Sequence, residues 1–245
     1  MTDKGKIDVS ATVREIAVKY PQSLKVFERY GIDYCCGGGK RLTDAAGELE
    51  IDIEELLRSL EEARTLAPEN SETLRDWTSM SIVDLINHID QTHHTFLKGE
   101  LPRLEQILDT VVHVHGANHS DTLFPLRLVF KSLKTNIGDH LNKEEKVLFP
   151  LISEKESPKR AGEHRTEGHN GGIHRTVDEL ISEHNSLGAA LSEIRWITYE
   201  FKLPEDACPT YIALYDGLKT LESDVHRHVH LENNVLFPRT VAAEQ

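Results

Sequence analysis

Two stretches of the chain repeat one pattern of side chains able to bind metal ions. Both read His-x-x-x-Glu-x-x-Val-Leu-Phe-Pro, and they begin at His140 and at His228, 88 residues apart. Six identities in eleven positions indicate an internal duplication. Residues four apart share one face of a helix, so each imidazole and the carboxylate that follows it, Glu144 or Glu232, could ligate ions at one depth of a helical bundle.

Each copy also has a histidine at a similar distance upstream. His94 precedes His140 by 46 residues. His184 precedes His228 by 44 residues. Together the two halves supply four imidazoles and two carboxylates, a suitable set for two first-row metal ions with the carboxylates free to bridge. Imidazole with carboxylate suits iron or manganese, whereas structural zinc usually prefers cysteine. The predicted metal ligands are His94, His140, Glu144, His184, His228 and Glu232.

The alternative is a metal-free bundle, because a single His-x-x-x-Glu turn is most often a solvated pair. Two copies with matching upstream histidines favour metal binding over that alternative. Histidines off the ligand face are expected at the surface or beside a ligand; these are His88, His93, His226 and His230. Histidines in loops and helix ends are expected to be solvated, with adventitious metal binding as the alternative; these are His113, His115, His119, His164, His169 and His174.

Four long amphipathic segments would position these side chains. They cover residues 81–108, 119–154, 176–201 and 208–241, and no β-alternation of useful length occurs. This pattern predicts an all-α protein built on an up-down four-helix bundle. Pro102 is expected to kink the first helix. The histidine-rich segment 154–174 is expected to form a surface loop or lid.

A small helical domain is predicted before the bundle. The predicted boundaries are 1–66 for this domain, 67–77 for a linker and 78–245 for the bundle. Ser10 is placed to cap the first short helix, and Gly31 to end the second.

The small domain contains the adjacent cysteines Cys35 and Cys36, followed by three glycines. Adjacent cysteines rarely bond to each other, and glycines let the backbone approach a ligand or partner closely. Two exposed thiolates could bind iron, accept nitric oxide or exchange disulfides. The alternative is a buried turn without chemistry. Cys208, which precedes Pro209, is expected to be structural.

Composition excludes several classes of protein. The net charge of −13 disfavours binding to nucleic acid. No apolar run is long enough to span a membrane, and the polar residues 1–6 do not resemble a secretory signal. Three cysteines do not form a disulfide framework, so a reducing cytoplasm is expected.

The motifs resemble those of the iron–sulfur cluster repair di-iron proteins, whose C-terminal part is hemerythrin-like. The matching pieces are Asp33-Tyr-Cys-Cys-Gly-Gly, Glu183-His184 and Leu231-Glu-Asn-Asn-Val-Leu-Phe-Pro238, and the resemblance covers nearly the whole chain. It implies two non-haem iron ions, bridged by oxygen or carboxylate, on the six ligands given above. It also implies a cytoplasmic protein, induced by nitrosative or oxidative stress, that restores damaged iron–sulfur proteins by supplying iron and binds nitric oxide or oxygen. Cys35 and Cys36 match a cysteine pair that assists this function.

Three departures and two alternatives accompany the resemblance. The loop 154–174 is long, three glycines follow the cysteines, and no fifth histidine like that of oxygen-carrying hemerythrins is evident. The missing histidine favours an open or water-bound position over reversible oxygen carriage. A sensor of oxygen or nitric oxide that performs no repair, and a nitric oxide reductase, are the alternatives. The sequence leaves open whether the protein is a monomer or a homodimer.

Overall fold

A computed structural model describes residues 7–66, 75–156 and 170–242. Within these ranges the protein is helical and has no strand, with one isolated bridge between Thr12 and Arg41. The predicted all-α class is therefore confirmed. The chain divides into two compact units, residues 1–81 with 229–239 and residues 82–228 with 240–245. Most of the predicted linker and loop, at 67–74 and 157–169, lies outside the described residues.

The first unit begins with four helices: α1 (Val13–Lys19), α2 (Leu24–Tyr30), α3 (Leu42–Glu48) and α4 (Ile53–Leu66). Thr12 caps α1, because its side chain accepts from the Glu15 backbone N–H while the Glu15 carboxylate accepts from the Thr12 N–H. The expected Ser10 cap is wrong, since the Ser10 hydroxyl donates to Asp8 instead. Gly31 ends α2 in the left-handed conformation, as predicted, at φ 69°.

The second unit is the bundle. Its last two helices each include three residues that are assigned to the first unit. The helices are α5 (Ile82–Ile89), α6 (Thr95–His115), α7 (Ser120–Lys143), α8 (Phe149–Glu156), α9 (Asn170–Ile197), α10 (Pro209–Leu231) and α11 (Phe237–Ala242). In the parts of the chain that the structure describes, no helix combines the length and apolar character needed to cross a membrane.

Polar contacts join each long helix of the bundle to its neighbours. They link α6 to α7, α7 to α9, α9 to α10, and α10 to the residues just before α6, which closes the ring of four helices. The linking pairs are Glu105–Lys134, His140–Glu183, Arg195–Glu222 and His93–Asp224. Apolar side chains fill the interior between these helices. Among the fully or almost fully buried ones are Leu97, Leu104, Leu108, Phe130, Leu133, Leu187, Leu191, Leu214 and Leu221.

In the described residues, three five-residue π-helical turns interrupt the regular helices, at Asp90–His94, Glu144–Leu148 and Glu232–Leu236. Each contains one predicted metal ligand at its first or last residue. Such wide turns are rare and occur often at functional sites. The first turn lies between α5 and α6, and α6 continues as a helix through Pro102, where the expected kink stays a prediction.

Proline favours the two later π turns. Pro150 and Pro238 each follow the end of a π turn by two residues. A proline donates no backbone N–H, and its ring collides with the carbonyl four residues earlier in a regular helix. A wider turn just before the proline accommodates the ring. In both copies of the repeat, the closing Phe-Pro pair thus accompanies a backbone distortion beside the predicted glutamate ligand.

Candidate metal centre

Two buried imidazoles from opposite ends of the bundle sequence meet in its interior. The Nε2 atoms of His94 and His228 lie 3.2 Å apart, and both residues are buried. The Nδ1 atom of His94 donates to a carboxylate oxygen of Glu145 at 2.8 Å. Since an ionised carboxylate only accepts, this contact places the His94 proton on Nδ1 and leaves the Nε2 lone pair facing the interior.

A second imidazole pair repeats this arrangement. The Nε2 atoms of His140 and His184 lie 3.1 Å apart, again with both residues buried. The Nδ1 atom of His140 donates to Glu183 at 2.9 Å. The ring centre of His140 is 6.1 Å from that of His228, so the two pairs adjoin.

Glu144 lies between the two pairs and is fully buried. Its Oε2 atom is 3.3 Å from the His94 Nε2, 3.4 Å from the His140 Nε2 and 3.8 Å from the His228 Nε2. The ligand atoms of Glu144 and each imidazole pair all lie within 4.8 Å of one another. One carboxylate therefore faces both pairs, which is the position of a bridging ligand between two cations.

The distances fit one cation for each imidazole pair. Two nitrogens bound at right angles to one ion, with bonds of about 2.1 Å, are about 3 Å apart. The separations of 3.2 Å and 3.1 Å match that value. Nitrogen and oxygen donors without sulfur suit first-row ions such as iron. Burial of lone pairs that face each other costs free energy unless a proton or cation satisfies them.

A lysine–glutamate–histidine chain supports one imidazole of each pair. Lys98 contacts Glu145 at 2.6 Å, and Glu145 holds His94. Lys143 likewise contacts Glu183, which holds His140. Partial burial alone would raise the pKa of both carboxyl groups, but hydrogen bonds from the lysine and the histidine hold each pKa below its usual value. Both groups therefore stay ionised and keep their imidazoles oriented.

Glu145 and Glu183 are not among the site residues predicted from the sequence. Glu145 directly follows Glu144, and Glu183 directly precedes His184. Their position next to a predicted ligand is the feature of the sequence that could have identified them. His93 was predicted at the surface or beside a ligand, and the structure buries it. Its ring stacks on that of His228 with centres 5.6 Å apart, and its Nδ1 is 2.9 Å from an Asp224 oxygen.

Glu232 belongs to the first unit, with residues 229–239. It is fully buried, opens the third π turn and follows His228 by four residues. The structure thus brings together five of the six predicted ligands within the bundle unit. The place of Glu232 among them stays a prediction from the repeat.

The cysteine loop of the first unit is organised by Asp33. One oxygen of its carboxylate accepts from the backbone N–H groups of Cys35 and Cys36, both at 2.9 Å, and the other accepts from Gly37 at 2.8 Å. Neither cysteine forms a disulfide, and their sulfurs lie 3.8 Å apart. The hydrogen bond with Cys36, together with burial, raises the pKa of Cys35 well above its usual value. Cys36 is the more accessible thiol of the pair.

Two asparagines of the second repeat copy hold this loop within the first unit. Asn233 donates to the Cys35 carbonyl at 3.2 Å, and Asn234 donates to the Tyr34 carbonyl at 2.9 Å. Asn234 also donates to Nδ1 of His230 at 2.8 Å. Burial lowers the pKa of His230 to about 4, so it is neutral at pH 7. The first copy has Glu145 and Lys146 at the equivalent positions, and this difference marks separate tasks for the two copies.

Gly38 and Gly39 provide a matched test of the loop's packing. A Cβ at Gly38 would lie 2.8 Å from the Tyr34 carbonyl oxygen, whereas one at Gly39 would meet nothing within 4 Å. We expect Gly38→Ala to destabilise the protein by about 1–3 kcal/mol, since backbone must move. Gly39→Ala should leave thermal unfolding, followed by circular dichroism, unchanged. Equal melting temperatures for the two variants would contradict the close approach.

Cys208 and Cys35 should differ strongly in reactivity. A hydrogen bond with the His115 side chain, with help from backbone N–H groups, lowers the pKa of Cys208 to about 7. Cys208 is half-buried and Cys35 is buried. In chelator-treated protein we expect iodoacetamide to alkylate Cys208 first, at a rate that rises about tenfold per pH unit below pH 7 and levels off above it. Mass spectrometry of peptides at several pH values measures this, and His115→Ala should move the inflection to higher pH.

Comparison with known proteins assigns both parts of the chain. A family model described as a domain of unknown function, DUF542, matches residues 9–64, and the hemerythrin HHE cation binding domain matches residues 84–240. A probable iron-sulfur cluster repair protein of Haemophilus influenzae is 30% identical over 227 residues, covering 93% of this chain and 95% of that protein. The iron-sulfur cluster repair protein YtfE of Yersinia pseudotuberculosis is 31% identical, covering 94% of this chain and 96% of that protein. YtfE of Pectobacterium carotovorum gives the same values.

Proposed function

Because the chain belongs to the iron–sulfur cluster repair protein family and carries a hemerythrin HHE domain, we propose that it repairs iron–sulfur clusters damaged by nitrosative or oxidative stress. Iron would come from a site of two non-haem ions in the bundle. The observation that carries this proposal is the pair of converging imidazole pairs with the Glu144 carboxylate between them. We also propose a cytoplasmic location, which is supported by three cysteines that form no disulfide.

Each imidazole pair would hold one ion. His94 with His228 forms one binding position, and His140 with His184 forms the other. Glu144 would bridge them. Glu232 would be the second bridging carboxylate, since it follows His228 by four residues on one continuous helix, as Glu144 follows His140.

Iron at this site would supply a redox-active centre able to bind nitric oxide or oxygen. The protein's own side chains fix the imidazoles through Glu145 and Glu183 and exclude water by burial. Nitrogen and oxygen donors hold iron here, whereas iron–sulfur clusters are held by cysteine thiolates. We propose that Cys35 and Cys36 assist iron transfer, which is supported by the proximity of their sulfurs to an Asp33 oxygen, all within 4.8 Å of one another.

The test compares the iron-loaded protein with free ferrous iron. An iron–sulfur enzyme inactivated by nitric oxide is incubated with reductant and sulfide plus either source at equal iron. The proposal expects greater recovery of enzyme activity with the protein than with free iron. His140→Ala, prepared in the same way, should give no recovery beyond the background. Recovery of enzyme activity no greater than that from free iron would contradict the proposed repair function.

Nitric oxide reduction is the second candidate, favoured by the two adjacent imidazole pairs whose ring centres approach to 6.1 Å. Two nitric oxide molecules must be brought together to form nitrous oxide, and two neighbouring cations could do so. Counting nitrous oxide per iron pair under excess reductant separates the two functions. Many molecules per pair indicate an enzyme, whereas one or none indicates capture or sensing.

A further inference from the structure

Four side chains with metal-ligand chemistry come together away from the six predicted ligands. His115 is the last residue of α6, and His119 directly precedes α7. Asp206 lies in the connection before α10, and Cys208 directly precedes Pro209, the first residue of α10. All four belong to the bundle unit. Two chain segments, the connection from α6 to α7 and the connection before α10, thus bring two imidazoles, a carboxylate and a thiol to one place.

The first three already have the spacing of ligands around one ion. Asp206 Oδ1 is 2.7 Å from the His119 Nε2, and its Oδ2 is 3.7 Å from the His115 Nδ1. One ligand atom from each of the three lies within 4.8 Å of the others. The ring of Tyr211 packs against both imidazoles, with centres 5.3 Å and 6.1 Å away, and forms an apolar wall.

His115 is the residue that an ordinary ion pair does not explain. The exposed Asp206 and the half-buried His119 would form a common surface pair without any metal. His115, however, is only 8% exposed, and apart from the contact of its side chain with Cys208 its buried Nε2 has no hydrogen-bond partner among the described residues. A buried nitrogen without such a bond costs free energy unless a ligand satisfies it.

Cys208 supplies the fourth donor. Its thiol interacts with the His115 imidazole, and this contact favours the thiolate, the form that binds metals. Its sulfur is not part of the compact group of three, so ligation by Cys208 requires its half-buried side chain to move toward the ion. The sequence predicts that His115 and His119 are solvated and that Cys208 is structural. The burial of His115 contradicts the first expectation for that residue.

We propose that His115, His119, Asp206 and Cys208 form a separate site for one divalent cation of the zinc type. Two nitrogens, one oxygen and one sulfur from protein are a full tetrahedral set for Zn²⁺. A closed set of four protein ligands is typical of structural zinc, which would tie together the ends of α6, α7 and α10. The six predicted iron ligands include no thiol, so the two sites differ in their spectroscopic signatures.

Cobalt is the probe for this site, because Co²⁺ replaces Zn²⁺ and a thiolate bound to it gives a charge-transfer absorption band. We expect the full-length, iron-loaded protein to bind one Co²⁺ per chain with this band, and Zn²⁺ to remove the band by competition. The variants Cys208→Ser, His115→Ala and Asp206→Asn should each lose the band. The exposed neighbour variant His113→Ala should keep it, as should Cys36→Ser.

The same spectra separate this site from the iron centre. His140→Ala should lose iron and retain the cobalt–thiolate band, so failure of one site does not imply failure of the other. No band in the wild type, or a band that Cys36→Ser removes and Cys208→Ser does not, would overturn the proposal. Cobalt binding at His115 without a thiolate band would overturn the role of Cys208 as a ligand.

Discussion

Replacing Glu144 by alanine is expected to remove both iron ions, not one. The reason is geometric: a single Glu144 oxygen lies 3.3 Å from a nitrogen of one imidazole pair and 3.4 Å from a nitrogen of the other. Loss of a bridging carboxylate removes a ligand from each ion and also removes the negative charge that offsets two adjacent cations. Iron per chain should fall from about two ions to about none after gel filtration with a mild chelator.

Controls separate loss of the ligand from loss of the fold. Glu144→Gln keeps the size of the side chain while removing its charge, and it should lose iron as well. Glu193→Ala replaces an exposed glutamate on α9 and should retain wild-type iron. Helical circular dichroism should be similar for all three variants. If Glu144→Ala keeps one tightly bound ion, the carboxylate serves only one of the two imidazole pairs.

The bundle and the convergence of five predicted ligands were predictable because helical periodicity and a duplicated motif are local signals. The spacing of His140 and Glu144 fixes one face of one helix, and the copy at His228 repeats it. The residues that support the ligands follow no such spacing. Glu183 reaches His140 from a helix 43 residues away, which only the packing of α7 against α9 determines.

Burial also depends on partners distant in sequence. Asn233 donates to the Cys35 carbonyl from 198 residues later in the chain, so two adjacent cysteines and three glycines do not reveal how the loop is held or how exposed each thiol is. The π turns depend on a balance between proline strain and packing, and a Phe-Pro pair alone does not encode it. Similarly, the loop position of His115 indicated solvent exposure, whereas its contact with Tyr211 places it inside.

Changing Glu183 to glutamine should weaken iron binding about 10- to 100-fold, the usual effect of removing a partner that orients a ligand. Glu183 accepts the His140 Nδ1 proton and is itself held by Lys143. A glutamine can still accept that proton through its amide oxygen, but it lacks the charge that makes the imidazole a stronger donor to the metal. Its NH₂ group, if turned toward Nδ1, would favour the tautomer that places the proton on Nε2.

Glu179→Gln is the matched control for this effect. Glu179 lies one turn earlier on α9, is exposed, and contacts the same Lys143 at 3.6 Å without a hydrogen bond to His140. Competition with a chelator of known iron affinity measures both variants against the wild type. We expect near wild-type affinity for Glu179→Gln and the full loss for Glu183→Gln. Equal losses in both would mean that general surface charge, and not the orientation of His140, controls iron affinity, because the two substitutions remove the same charge from the same helix.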